Sequence, residues 1–263
     1  MNSIENPDYR GIAEYQVFKR LIKTYPTGIL SVVSDTFDLF KVIIEYLPRL
    51  KDEILARDGK LVIRPDSGNP ADIICGLNTV EIHDYDTPNK KHPSWKGVIE
   101  LLWDVFGGTT NEQGFKVLDP HIGAIYGDSI TLERADEICR RLASKGFAST
   151  NIVLGVGSFT YQYNTRDTFG FAMKATYVEV DGVGREIFKD PITDDGTKKS
   201  ATGLLQVLEV MEADSVGKLH HKSYLLKDKV SWDEANIGSL RTLYKDGGFY
   251  NTTTLDAIRA KLK

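Results

Sequence analysis

The segment Leu61-Val62-Ile63-Arg64-Pro65-Asp66-Ser67-Gly68-Asn69-Pro70 runs from apolar residues into a guanidinium, a carboxylate and a turn-forming tail. A guanidinium presents a rigid fork of donors that matches phosphate or pyrophosphate oxygens two at a time. A neighbouring carboxylate accepts hydrogen bonds from vicinal hydroxyls or supplies part of the shell of a Mg²⁺ ion. Together these groups suit a phosphorylated sugar. Taken separately, Ser67-Gly68-Asn69-Pro70 is ordinary turn composition and Arg64 with Asp66 a structural ion pair. Their adjacency favours the ligand.

Three further apolar runs end in a similar way: Ile29-Leu30-Ser31-Val32-Val33-Ser34-Asp35, Ile122-Gly123-Ala124-Ile125-Tyr126-Gly127-Asp128 and Ile152-Val153-Leu154-Gly155-Val156-Gly157-Ser158. Continuous Val/Ile/Leu runs of this length suit strands buried on both faces, as in parallel sheets. The C-terminal ends of such strands carry the active sites of α/β barrels and open α/β sheets. Asp35, Arg64, Asp66, Asp128 and Gly157 are therefore expected to line one mouth. Gly155-Val156-Gly157-Ser158 alone is a weak phosphate signal, because glycines after a strand are more often turn residues. Their exposed N–H groups can nevertheless cradle an anion. In this acidic chain the cations that follow, Arg166 within Thr165-Arg166-Asp167, then Lys174, Lys189, Lys198 and Lys199, strengthen that reading.

Helical spacing fills the intervals between the runs. Phe37, Phe40, Val42, Ile43, Ile44 and Leu47 predict a helix disturbed at Pro48. Leu132, Ala135, Ile138, Cys139 and Leu142 fall on one helical face, opposite Glu133, Arg134, Asp136, Glu137, Arg140 and Arg141. Before the first strand, Ile12, Tyr15, Phe18, Leu21 and Ile22 form a stripe, so the chain opens partway through a repeating helix–strand pattern. A polar loop over 83–93 precedes a helix around 98–106. His83 and His92 in that loop match no metal-ligand spacing and read as loop residues. After Arg166 the texture changes to β-rich stretches at 169–180 and 204–210, separated by a polar segment at 190–202. Short amphipathic helices then begin at Trp232-Asp233-Glu234-Ala235 and Thr254-Leu255-Asp256-Ala257, with acids near their starts. The expected division is an α/β part over 1–167 and a smaller β-rich part over 168–263.

With 263 residues, 41% hydrophobic, 27% charged and a net charge of -4, the chain is globular by composition and lacks the basic excess of a nucleic-acid binder. Small molecules or copies of the chain itself are the expected partners. Cys75 and Cys139 form no CxxC pair and read as buried thiols. No apolar stretch approaches the roughly 20 residues that span a bilayer. Residues 1–7 lack the basic and apolar regions of a signal peptide. A cytoplasmic location without membrane attachment is the expectation.

Five motifs occur in an order that resembles the nicotinamide phosphoribosyltransferases of the type II phosphoribosyltransferase family: Ser31-Val32-Val33-Ser34-Asp35-Thr36-Phe37-Asp38, Ile63-Arg64-Pro65-Asp66-Ser67-Gly68-Asn69-Pro70, Tyr126-Gly127-Asp128, Thr165-Arg166-Asp167 and Ile187-Phe188-Lys189-Asp190-Pro191. The resemblance covers nearly the whole chain. Nicotinate-specific relatives typically carry Arg-Leu-Asp-Ser-Gly-Asp at the central motif, so Pro65 and Asn69-Pro70 favour the nicotinamide branch. The resemblance implies an irregular α/β barrel, here incomplete, with a smaller β-rich C-terminal part. The implied reaction joins nicotinamide to 5-phosphoribosyl-1-pyrophosphate, giving nicotinamide mononucleotide and pyrophosphate in NAD salvage. Mg²⁺ is the implied cofactor, ATP a coupling substrate of the complete enzyme, and a homodimer the implied assembly.

Site roles follow from the same resemblance. Asp66 would meet the ribose and Mg²⁺, stabilising the cationic sugar as its bond to pyrophosphate breaks, and Arg64 would lie near the nicotinamide amide and the pyrophosphate. Gly127 and Asp128 would be ribose-side contacts. Gly157 and Arg166 would hold the 5'-phosphate, with Ser158 where the family commonly has a second glycine. Lys174, Lys189 and Lys198 match positions whose cations meet phosphates, partly across the dimer interface. Asp35 matches an aspartate that orients a phosphorylated histidine in a Glu-His-Ser motif before the first helix. None of His83, His92, His121, His220 or His221 stands in that place.

The chain is therefore expected to be the C-terminal portion of such an enzyme. It would be inactive alone and would need an N-terminal portion carrying the base-binding aromatic residues, an amide-selecting aspartate and further strands. The alternatives are a non-catalytic phosphoribosyl-ligand-binding or assembly subunit, a nicotinate phosphoribosyltransferase, or an unrelated phosphosugar-binding barrel.

Overall fold

The four apolar runs become one parallel sheet. The computed structural model describes residues 7–77, 92–127, 130–157, 164, 167–169, 171–193 and 199–261. They belong to two units, Met1–Met173 with Lys189–Lys199, and Lys174–Phe188 with Ser200–Lys263. In chain order the first unit runs α1 (Pro7–Thr24), β1 (Thr27–Val33), α2 (Leu39–Lys41), a π-helical turn (Val42–Tyr46), α3 (Leu47–Arg49), α4 (Lys51–Leu55), β2 (Asp58–Arg64), α5 (Pro70–Cys75), α6 (Gly97–Phe106), the small hairpin β3 (Gly108–Thr110) and β4 (Lys116–Leu118), β5 (Ile122–Tyr126), α7 (Leu132–Ser144) and β6 (Ile152–Leu154).

The sheet order is β1-β2-β5-β6, with every neighbouring pair parallel. Register places Val33 beside Arg64 and Tyr126 beside Leu154, which brings the ends of neighbouring strands level. Leu61, Val62 and Ile63 of the inner strand β2 are all buried, as a strand covered on both faces requires. The outer strands differ, since Ile29 of β1 is 79% exposed and Val153 of β6 is 58% exposed. Of the expected barrel, the described residues carry this four-stranded sheet with two unpaired edges.

Helices close over the sheet with Leu47, Leu50, Ile54, Ile74, Val98, Ile99, Leu102, Ile138 and Leu142, all fully buried. Each such side chain contributes about 1.5–3 kcal/mol of transfer free energy. Pro48 has no N–H for a helical ladder, and the backbone ahead of it widens into the π-helical turn Val42–Tyr46, matching the expected disturbance. Asn69 caps α5 by accepting from the Ala71 and Asp72 N–H groups, with Pro70 at the first helical position.

Helix faces were less legible. Among the described side chains of α1 the buried ones are Glu14, Phe18 and Ile22, at four-residue spacing, whereas Ile12 is exposed. Leu132 is exposed in the first turn of α7, where Thr131 caps the helix by accepting from the Arg134 N–H. Cys75 is buried, and that burial pushes its thiol up to about 12, whereas Cys139 is only partly covered.

At the N-terminal end of the sheet Arg57 is buried and donates from Nε and Nη2 to Tyr25 O, and from Nη2 to Thr27 O and Gly28 O. Gly59 lies so close to Gly28 that a Cβ would stand 2.1 Å from the Gly28 carbonyl oxygen.

The second unit consists of hairpins and short helices. They are β7 (Tyr177–Val180) with β8 (Val183–Glu186), β9 (Gln206–Ala213) with β10 (Leu219–Lys227), α8 (Trp232–Ala235), β11 (Tyr244–Lys245) with β12 (Gly248–Phe249), and α9 (Leu255–Lys261). Asp181 and Gly182 both take positive φ, 52° and 73°, as a tight two-residue hairpin turn requires. Of the β-rich stretch expected at 169–180, only Tyr177–Val180 is a strand, and Asp167–Phe169 is a 3₁₀ turn. Ser231 and Glu234 form the capping box of α8. No helix among the described residues is long and apolar enough to cross a membrane.

Candidate active site at the strand ends

Two inner loops are fastened to each other where β1 and β2 end. The Ser34 N–H donates to Arg64 O at 3.0 Å, and the Arg64 N–H reaches Ser34 Oγ at 3.4 Å. Asp35 is 1% exposed, and its Oδ2 accepts from the Asp66 N–H at 2.9 Å and from Ser67 Oγ at 2.5 Å. Ser67 Oγ also makes a short contact with Thr193 Oγ1. Asp35 Oδ1 is buried and has no partner among the described residues. One carboxylate oxygen thus fixes the Asp66 peptide while the other is an unused acceptor among the described residues, a costly arrangement unless a donor is supplied.

The ends of β2, β5 and β6 meet through small residues. A Cβ on Gly127 would lie 2.8 Å from Arg64 Nε and Nη2, so the guanidinium occupies the space a side chain would take. Arg64 Nε is itself buried without a partner among the described residues. Gly155 presses on Gly127 in turn, since a Cβ there would be 2.6 Å from Gly127 O. The Tyr126 hydroxyl donates to Gly68 O at 2.8 Å, tying β5 to the loop that carries Asp66. Gly157 takes φ 60°, and among the described residues no heavy atom lies within 4 Å of its Cβ position.

The expected site residues therefore divide. Asp35, Arg64, Asp66, Gly127 and Gly157 all stand at or just beyond the ends of the sheet's strands. Lys189 is half-buried in the first unit, and Lys174 is exposed and belongs to the second. Asp128, Ser158, Arg166 and Lys198 lie outside the described residues, as does His83. His92 is exposed and accepts at Nδ1 from the Ser94 N–H, capping a short 3₁₀ turn. Among the described residues no group of three His, Cys, Asp or Glu side chains is placed to hold a metal ion.

Glu14 is a site-adjacent residue that the apolar stripe of α1 did not reveal. Its side chain is 8% exposed, Oε1 has no partner among the described residues, and it lines a cavity of about 240 Å³ with Phe37, Asp38, Lys41, Tyr46 and Asp190. Burial first, then the carboxylates of Asp38 and Asp35, pushes it up from 4.5 to about 8, against the pull of Lys41. Burial, then Glu14, Glu45 and Asp38, likewise pushes Tyr46 up to about 12. The only sequence signal was position, four residues before buried Phe18.

The described mouth thus offers a guanidinium and a carboxylate on one loop, a second carboxylate holding that loop, and glycine backbone beside them. Such a set can bind a polyanion and stabilise positive charge developing on the sugar beside it. Residues 13–236 match the sequence profile of the nicotinate phosphoribosyltransferase (NAPRTase) family. The chain is 48% identical over 256 residues to the nicotinamide phosphoribosyltransferase of Acinetobacter baylyi, covering 95% of this chain and 47% of the relative. It is 44% identical over 190 residues to that of Mycoplasma pneumoniae, covering 72% and 40%, and 31% identical over 250 residues to that of Xanthomonas campestris pv. campestris, covering 94% and 47%. The chain spans about half the length of these relatives.

Proposed function

Because the chain belongs to the nicotinate phosphoribosyltransferase family, we propose that its strand-end site binds 5-phosphoribosyl-1-pyrophosphate and serves the transfer of the phosphoribosyl group to nicotinamide, giving nicotinamide mononucleotide and pyrophosphate for NAD salvage. The observation that carries this reading is the fastening of the Asp66 loop to Asp35 beside the Arg64 guanidinium.

In this reading Arg64 neutralises the departing pyrophosphate, and Asp66 faces the ribose, where positive charge develops as the glycosidic bond lengthens. Both groups act more strongly on the separated charges of the transition state than on the intact substrate, which is what accelerates the reaction. Gly127 and Asp128 would complete the ribose side. Gly157, Ser158 and Arg166 would hold the 5'-phosphate, and Lys174, Lys189 and Lys198 the remaining phosphate charge, partly across a homodimer interface. The described residues fit Mg²⁺ only as one protein carboxylate, Asp66, sharing the ion with substrate phosphates and water, which is a common way of holding it. The ion would neutralise pyrophosphate charge there.

The unused Asp35 Oδ1 suits an N–H donor such as the imidazole of a phosphorylatable histidine, the element through which ATP coupling would act. The two unpaired edges of the sheet suit further strands of an α/β barrel. We therefore read the chain as the phosphoribosyl-binding portion of the enzyme, dependent for turnover on a portion equivalent to the other half of its relatives' length. Names of relatives support nicotinamide as the base, and the family's name keeps nicotinate as the alternative.

The test is mononucleotide formation by this chain with and without the N-terminal half of the Acinetobacter baylyi relative, using nicotinamide and nicotinate in parallel. Product from the mixture, greater with nicotinamide and lost in Asp66→Ala, is expected. An inactive mixture that still binds 5-phosphoribosyl-1-pyrophosphate would instead support a non-catalytic binding subunit.

A further inference from the structure

We propose that Thr193 is a positioning residue whose hydroxyl, acting through Ser67, holds the Asp35 carboxylate and the Asp66 peptide in place and docks the 190–193 segment on the strand ends. Proton count gives the direction of the chain of bonds. A carboxylate can only accept, so the single Ser67 proton goes to Asp35 Oδ2 at 2.5 Å. The short Ser67 Oγ contact with Thr193 Oγ1 is then made by the Thr193 O–H donating to Ser67. Asp35 Oδ2 receives the Asp66 N–H at the same time, so the relay has the Thr193 hydroxyl at one end and the peptide that carries Asp66 at the other, both converging on Asp35.

The backbone supports the same docking. The Asp190 N–H donates to Thr36 O at 3.3 Å and the Ile192 N–H to Phe37 O at 2.9 Å, laying the segment along the loop after β1. On the other side Gly68 takes φ 83°, and a Cβ there would stand 2.7 Å from Thr193 O. The segment is therefore gripped by the loops after both β1 and β2, and Lys189 immediately precedes it. Hydrogen-bonded chains of this kind polarise one another and favour one arrangement over its alternatives. With Oδ2 taken by the peptide and Ser67, Oδ1 is the oxygen of Asp35 left without a partner among the described residues.

The inference rests on the proposed phosphoribosyl site only for its functional readout, and two readouts on the full chain separate them. In Thr193→Val, which keeps the side-chain shape without the hydroxyl, amide hydrogen exchange at Asp66 should quicken about tenfold, while Thr193→Ser should stay within about twofold of wild type. Binding of 5-phosphoribosyl-1-pyrophosphate, measured by calorimetry, should weaken about tenfold in Thr193→Val and recover in Thr193→Ser. Unchanged exchange in Thr193→Val overturns the proposal, as does a serine variant as perturbed as the valine one. Faster exchange with unchanged affinity overturns the claim that the relay positions the binding site. If wild type itself fails to bind the ligand while the exchange pattern holds, the relay stands and the phosphoribosyl reading falls.

Discussion

The two ends of the parallel sheet are built from similar residue types and use them oppositely. At the N-terminal end Arg57 directs Nε and Nη2 onto carbonyls leading into and at the start of β1 while its Nη1 has no partner among the described residues, and Gly59 lets the first residues of β1 and β2 close on each other. At the C-terminal end, among the described residues, Arg64 keeps a buried Nε unpartnered against bare Gly127, and Asp35 keeps an unpartnered Oδ1. A buried cation that donates to backbone carbonyls stabilises the fold, whereas unused buried polar atoms lower its stability and are kept where a ligand or partner supplies the missing bond. Arg57 gives its other donors to the sheet's own backbone, whereas Arg64 faces a glycine with the Asp35 carboxylate nearby, and this contrast supports reading one end as foundation and the other as site.

Substitutions should separate the ends, the largest effect falling at the site. Asp66→Ala should lower kcat/KM of the reconstituted enzyme by about 10²–10³-fold with little change in melting temperature. The mirror experiment is Arg57→Ala. It should remove on the order of 3 kcal/mol of stability in urea titrations, because bonds to three carbonyls are lost, while ligand affinity per folded molecule stays the same.

Glu14 gives a pH-dependent comparison between the neutral and charged forms of one buried acid. Its folded value of about 8 exceeds its ordinary 4.5, so the folded state holds the proton more tightly. The neutral carboxyl's contribution is fully present below pH 4.5 and is lost as pH rises through about 8. Glu14→Gln should flatten that decline, gaining on the order of 2 kcal/mol over wild type at alkaline pH and nothing in acid, as thermal melts across pH would report. A smaller effect is expected from Gly127→Ala. Its methyl group must displace the Arg64 guanidinium, weakening binding of 5-phosphoribosyl-1-pyrophosphate roughly tenfold.

The strands, their order along the chain and the residues at their ends could be read from continuous Val/Ile/Leu runs, because a strand covered on both faces admits little else. Helix faces were harder. Glu14 occupies a core position on α1 that a hydrophobic pattern assigns to an apolar residue, and Ile12 is exposed where the pattern buries it. The role of Arg57 is not legible in sequence, because its carbonyl partners are about a helix and strand away, at Tyr25, Thr27 and Gly28. The Thr193 contact with Ser67 spans 126 residues, and no local periodicity encodes a pairing at that range. The stretch before Tyr177 has the aromatic content of a strand but no strand partner among the described residues, as β-propensity reflects packing more than intrinsic backbone preference.

The most direct test compares the two arginines in one binding experiment. Calorimetric titration of 5-phosphoribosyl-1-pyrophosphate into wild type, Arg64→Gln and Arg57→Gln should show affinity falling about 100-fold for Arg64→Gln and changing less than about twofold for Arg57→Gln, as expected for loss of a charge-assisted contact at one end only. Equal losses in both variants, or full affinity in Arg64→Gln, would contradict the assignment of the C-terminal strand ends as the binding site.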